Sequence, residues 1–164
     1  MTPFKFAIPA ALAMLALPAL AQMPTPTPAQ FVAKAGASDV FELREAKLMM
    51  SSSNPDIRGF AGQMQTDHTK STQMVKAAAT KDGLKPGAPV LSAKQTHDIA
   101  ALAAARGKAR DTLYVTQQKA AHAEALALMQ GYSTSGTATH LKATAGEIAP
   151  VVQGHIDMLG KMSM

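Results

Sequence analysis

The sequence predicts an all-α fold, a four-helix bundle with one long crossover carrying a short fifth helix, and three observations predict it. From Phe31 onward Ala, Leu, Met, Lys, Gln and Glu dominate, residues that lose little on entering a helix. No stretch alternates apolar and polar residues as a half-buried strand would. Proline, glycine and short Ser/Asn/Asp clusters cut the chain into four long helical segments and one short one. A chain of 164 residues suits one such domain plus an export segment.

The opening MTPFKFAIPAALAMLALPALAQ has the order of a signal peptide. Lys5 supplies a positive start, Phe6 to Leu17 an apolar stretch, and Ala19-Leu20-Ala21 the small-x-small pattern of a cleavage site. The apolar run contains Pro9 and is followed by Pro18, and it is shorter than the ~20 residues a spanning helix needs. Residues 1–21 are therefore expected to be removed, with the mature protein periplasmic or secreted. Residues 22–30, which include the Pro-Thr alternation of MPTPTPAQ, read as an extended tether, because proline disfavours helix in the residue before it. Residues 31–164 are the expected bundle domain.

The first helix is expected over about Ala29 to Ser52, ended by the cluster SSSNPD. Asn54 is a candidate N-cap and Pro55 a candidate first-turn residue for the second helix, which reaches Lys81. Asp82-Gly83 closes that helix through a left-handed glycine. Pro86, Gly87 and Pro89 make Leu84 to Leu91 a loop, and Ser92 opens a short helix ending near Gly107. The next long helix covers Lys108 to Tyr132, Ser133 to Gly136 is a turn, and the last helix starts at Thr137. Pro150 lies inside it and should kink it, leaving the Gly146 carbonyl unbonded. The segment from Gly83 to Gly107 can run the length of a bundle and deliver the second hairpin to the opposite end. That single long crossover is the ferritin-like form of the four-helix bundle.

Composition excludes several chemistries. No Cys means no disulfides, iron–sulfur clusters, thiolate zinc sites or cysteine nucleophiles. The net charge of +5 is spread thinly, so no nucleic-acid partner is expected. Aromatic residues are only 4% of the chain, which argues against a large shaped substrate pocket. Eleven Met raise the question of thioether sites for Cu(I), but Met also fills irregular helical cores, and that is the expected use here.

Ionisable residues interrupt the apolar stripes. His68 shares three-and-four spacing with Ile57, Ala61, Met64, Ser71 and Val75; His122 with Val115, Leu126 and Met129; His155 with Ile148, Val152 and Leu159; Glu42 with Ala35, Ala46 and Met49. Glu42 precedes the first turn by about as many residues as His68 follows it, and His122 and Glu147 bracket the second turn similarly. Glu42, His68, His122 and Glu147 thus fall at one level of the bundle, a donor set suited to Fe, Zn, Mn or Cu. Asp67 and His155 are expected beside them, orienting the ligands. No Glu-x-x-His occurs, which argues against a carboxylate-bridged di-iron centre. His97 and His140 sit near helix starts and have no expected role.

SDVFELREAKL, NPDIRGFAGQMQTDHTKS, YVTQQKAAHAEALALM and IAPVVQGHIDML resemble, in order and spacing, the exported bacterial family catalogued as domain of unknown function 4142, whose members often carry an outer-membrane label. The resemblance covers Phe31 to Met162. Its most specific elements are M-x-x-D-H-T at Met64 to Thr69, after Phe60-Ala61, and the Pro150 to His155 spacing. It implies a ferritin-like fold and export, with recurrent polar positions at Glu42, Asp67, His68, His122 and His155. The family commonly has an acid before the second of these histidines, where this chain has Ala121. A helical chain cannot be a β-barrel, so the outer-membrane label does not extend to that architecture. The expected function is a binding or stress-associated envelope protein with a His/carboxylate metal site, alone, as a homodimer or with an envelope partner. The alternatives are a di-metal redox enzyme and a purely structural interaction protein.

Overall fold

The computed structural model describes residues 25–162; the expected signal peptide and the first part of the tether lie outside them. Five helices follow in order: α1 Pro28–Met49, α2 Pro55–Lys81, α3 Ala93–Ala104, α4 Gly107–Ser135 and α5 Thr139–Lys161. The tether ends earlier than its composition suggests. Pro28 sits in the first turn of α1, and Thr27 and Gln30 form a reciprocal capping box that satisfies two exposed N–H groups. At its other end α1 stops at Met49 instead of Ser52. Ser52 turns its hydroxyl to Asp111 at 2.7 Å and accepts from the Asn54 N–H, so its local hydrogen bonds compete with helix continuation.

Two apolar clusters define the helix directions. One joins Phe31 and Ala35 of α1, Val75 to Ala79 of α2, Ala125 to Tyr132 of α4 and Leu141 to Val152 of α5. The other joins Ala46 and Met49, Ile57 to Met64, Tyr114 and Val115, and Leu159, with Leu102 of α3. Hence α1 and α5 run from the first cluster to the second, while α2 and α4 run back. Each helix packs antiparallel on its two neighbours, in the ring α1, α2, α5, α4, with α3 against α1 and α4. The two hairpins are α1–α2 and α4–α5, and the crossover between them carries α3, as expected. Among the described residues, no helix is long and apolar enough to cross a membrane. Met49, Met64 and Met129 are buried core, and Met158 and Met162 pack against the second cluster.

The crossover is pinned where it leaves the first hairpin. Gly83, at φ 77°, closes α2 as its left-handed residue. The preceding Asp82 accepts from the N–H groups of His140 and Leu141 at 3.1 and 2.9 Å, and from His140 Nδ1 at 2.7 Å. Ala138, the N-cap of α5, has no side chain that could do this, so the first hairpin caps the second. His140, expected to be idle, is part of that clasp. At the second turn α4 continues through Ser135, one turn beyond the expected Tyr132. Helix α5 is unbroken through Pro150, which is exposed.

Gly136 ends α4 where a side chain has no room. A β-carbon there would lie 2.5 Å from the Tyr132 carbonyl oxygen and 2.6–2.7 Å from its ring. That ring is itself stacked on Phe31 at 4.0 Å and cannot yield. Gly136→Ala should destabilise the protein by about 1–3 kcal/mol, measured by urea unfolding; an unchanged midpoint would refute this packing constraint.

Candidate metal centre

Between the two apolar clusters lies a buried polar layer: Asp39, Glu42 and Glu45 of α1, His68 of α2, Gln118 and His122 of α4, and His155 of α5. Its geometry follows from helical spacing. Asp39, Glu42 and Glu45 recur every three residues on one face of α1, while Tyr114, Gln118 and His122 recur every four on α4. The helices are antiparallel, so the two ladders meet rung by rung. Gln118 Nε2 donates to Glu45 Oε2 at 3.0 Å, and His122 Nδ1 lies 3.7 Å from Glu42 Oε1. His68 and His155 close the layer from the other two helices. Phe60 borders it, its ring centroid 6.1 to 6.3 Å from those of Tyr114, His155 and His122.

Each imidazole spends one nitrogen on an acceptor outside the group. His68 Nδ1 is 2.9 Å from Asp39 Oδ1, whose other oxygen accepts from Thr72. His122 Nδ1 donates to the Gln118 carbonyl at 2.9 Å, and His155 Nε2 is 2.9 Å from Asp67 Oδ2. A carbonyl and an ionised carboxylate only accept, so these nitrogens carry the protons. The remaining nitrogens are His68 Nε2, which has no hydrogen-bond partner, and His122 Nε2 and His155 Nδ1, which face each other at 3.2 Å. In the neutral rings that last pair sets lone pair against lone pair, a repulsive arrangement unless a proton or metal cation lies between. One nitrogen of each ring lies within 4.8 Å of one from each of the others. Two nitrogens held at 2.0–2.1 Å by one tetrahedral ion would be about 3.3 Å apart.

Burial dominates the electrostatics. It pushes Glu42 up to about 7, against the attraction of the His68 charge, and Glu45 up to about 8, against its Gln118 hydrogen bond. His122 falls to about 3 through burial and repulsion from His68 and His155, and His155 is lowered mainly by burial despite Asp67. Burial also works against a charge on His68, but the Asp39 hydrogen bond and the charges of Glu42, Asp39 and Asp67 together raise it. The metal-free layer thus concentrates positive charge at His68. Burial likewise raises the Tyr114 hydroxyl, as do Glu42 and Glu45.

The family model for the domain of unknown function DUF4142 matches residues 13–162. The chain belongs to the DUF4142 family. No curated protein matches it. The fold is similar to the crystal structure of a DUF305 fragment from Deinococcus radiodurans, with a TM-score of 0.70 and 20% identity, covering 84% of this chain and 98% of that one. At that identity the likeness is one of fold.

The DUF4142 chain brings together most of its expected polar positions, but in altered roles. His68 and His122 converge as expected, and Glu42 lies against them, outside the three-nitrogen group. Glu147 does not belong: it is exposed on α5, next to buried Ile148. Glu147 sits about 100° round the helix from the buried stripe. His155, expected only as a neighbour, completes the group. The second turn is centred near residue 137, since α4 ends at Ser135 and α5 begins at Thr139, and this moves the partner of His122 towards the C-terminus. Side chains on antiparallel helices also lean towards their own N-termini, which brings His122 and His155 together. Asp67 orients His155 across the α2–α5 interface, not its sequence neighbour His68. The sequence reading missed Asp39, Glu45, Gln118 and Tyr114; the spacing of Asp39, Glu42 and Glu45 was the signal for two of them.

The buried acids and imidazoles set opposite pH limits on the metal-free protein. Glu42 and Glu45 hold protons more tightly folded than unfolded, so their contribution is full below the unfolded value of 4.5 and lost as pH rises through about 7 and 8. His122 and His155 do the reverse: their contribution is full above 6.5, and that of His122 is lost as pH falls towards about 3. Chelator-treated protein should therefore be most stable roughly between pH 4.5 and 6.5, and its Tm should fall by on the order of 5 °C from pH 6 to pH 9. Glu45→Gln should remove much of that alkaline loss in differential scanning calorimetry. An equal loss in the variant would mean that Glu45 is not the buried acid responsible.

Proposed function

We propose that this protein is an exported, periplasmic or secreted metal-binding protein of the cell envelope that holds one transition-metal ion on His68, His122 and His155. The observation that carries the reading is the convergence of three inward nitrogens, one from each ring, two of them facing lone pair to lone pair at 3.2 Å in the neutral rings, in a layer where each outer nitrogen is already committed. Acceptors behind ligating histidines are what metal sites use to fix the tautomer and raise ligand basicity. Asp39, the Gln118 carbonyl and Asp67 fill that position here. Imidazole donors suit Zn(II), Cu(II), Fe(II) and Ni(II). Three of them leave a coordination position open, with the Glu42 carboxyl beside the group.

A buried polar layer that merely set helix register would pair its members, as buried groups ordinarily do. Here His68 Nε2 and both Glu42 oxygens have no hydrogen-bond partner. A cation supplies what that arrangement lacks. The ferritin-like character of the bundle is a likeness of connectivity, and export rests on the leader. Binding or buffering metal in the envelope, including under metal stress, is the role this combination supports.

Titrating Zn(II), Co(II) or Cu(II) into chelator-treated protein should show one equivalent bound at the histidines. At a free-metal concentration one hundred times Kd, binding should add about 2.7 kcal/mol of stability. His122→Ala should weaken binding by more than about 100-fold, and Asp39→Asn or Asp67→Asn by about 10- to 100-fold. No uptake, with an unchanged Tm, would sink the proposal, as would a His122→Ala protein that binds like the parent.

A further inference from the structure

An ion on the three histidines leaves two of the four surrounding carboxyl groups without a counterpart. Asp39 and Asp67 stand behind His68 and His155, and a divalent ion there balances two carboxylates. Glu42 and Glu45, 1% and 0% exposed, are two more. Among the described residues neither pairs with Lys or Arg; the nearest basic group is the neutral His122 ring, whose Nδ1 lies 3.7 Å from Glu42 Oε1. Buried carboxylates persist only when paired, metal-bound or neutralised by a proton.

The same place concentrates oxygen donors that have nothing to bind. Both Glu42 oxygens, Glu45 Oε1, Gln118 Oε1 and the Tyr114 hydroxyl are all buried without a hydrogen-bond partner. They project from two facing ladders, Glu42 and Glu45 on α1 and Tyr114 and Gln118 on α4. Gln118 turns its amide nitrogen to Glu45 Oε2 at 3.0 Å, leaving its carbonyl oxygen as a donor to a cation. Two carboxylates, an amide carbonyl and a phenol form an all-oxygen set, the choice of harder divalent ions such as Mn(II) or Mg(II) over the ions that imidazoles prefer.

We infer that Glu42, Glu45, Gln118 and Tyr114 form a second cation seat for a hard divalent ion, next to the histidine seat and with Glu42 between the two. The charge count rests on the histidines holding the first ion. With both seats filled, two divalent ions balance the four carboxylates of Asp39, Glu42, Glu45 and Asp67. The seat departs from Glu-x-x-His centres in taking no imidazole of its own, and it needs no redox step.

The test uses the chelator-treated full chain, loaded with one equivalent of Zn(II) to fill the histidine seat and then titrated with Mn(II). Electron paramagnetic resonance reads the loss of the free aqueous Mn(II) signal. One further equivalent should bind. Glu45→Gln should weaken that binding at least tenfold while still taking up one Zn(II), and Tyr114→Phe, which keeps the ring in the core, should weaken it in the same direction. Zn(II) uptake with no Mn(II) binding would overturn the second seat, meaning water or protons fill it, and would leave the histidine site standing. Mn(II) binding that neither variant disturbs would place the ion elsewhere and also overturn it. Failure to take up Zn(II) at all would overturn the histidine site and with it the charge count.

Discussion

The commitment of each outer imidazole nitrogen to a fixed acceptor is the constraint on which the centre depends. A histidine in water can exchange tautomers and turn its ring. In this interior, Asp39, the Gln118 carbonyl and Asp67 take the protons of His68, His122 and His155, so the opposite nitrogens must face inward unprotonated or bear a charge. Desolvation makes a charge costly there, and it lowers His122 and His155. Only His68, nearest in electrostatic terms to three carboxylates, is shifted towards the protonated form. A positive charge at the middle of the bundle is thus favoured at His68, and a proton or a metal ion can provide it.

That layer also shapes the core around it. The apolar residues form two clusters, one at each end of the bundle, with the polar side chains between. Such a split lowers the apolar area each helix can bury, and the metal-free layer leaves several hydrogen-bonding atoms unused. Each unused buried atom costs on the order of 1–3 kcal/mol. The well-packed ends, with Phe31 stacked on Tyr132 at one and Tyr114 against Phe60 at the other, offset that cost and hold the middle in place. Apolar packing is thus concentrated at the ends, and the unpartnered polar groups at the centre.

The crossover contributes by fixing which faces meet. Bringing α4 in parallel to α2 puts α4 antiparallel to α1, and only then does the Tyr114–Gln118–His122 ladder run against Asp39–Glu42–Glu45. The clasp of Asp82 on the start of α5 ties the two hairpins at the end where the chain leaves the first of them. A register shift of one turn between the hairpins would separate His122 from Glu42 and His155 from Asp67, so the centre is also a check on correct assembly.

Much of this architecture is legible in the residues themselves. Helix-forming composition, the breaks at Asn54-Pro55, Asp82-Gly83 and Ser92, and the long segment before Gly107 determine five helices and a single crossover, because caps and glycine turns act over a few neighbouring residues. Three-and-four spacing likewise puts His68, His122 and His155 on buried faces, since it reports which side of a helix is apolar. Spacing along one helix carries no information about what stands opposite it. Whether His122 would meet Glu147 or His155, whether Asp67 would orient His68 or His155, and that Asp39, Glu45, Gln118 and Tyr114 would share the interior depended on the length of one turn, the lean of side chains and the rotation of each helix about its axis. Those quantities are settled when all four helices pack at once, and so only the tertiary structure decided them.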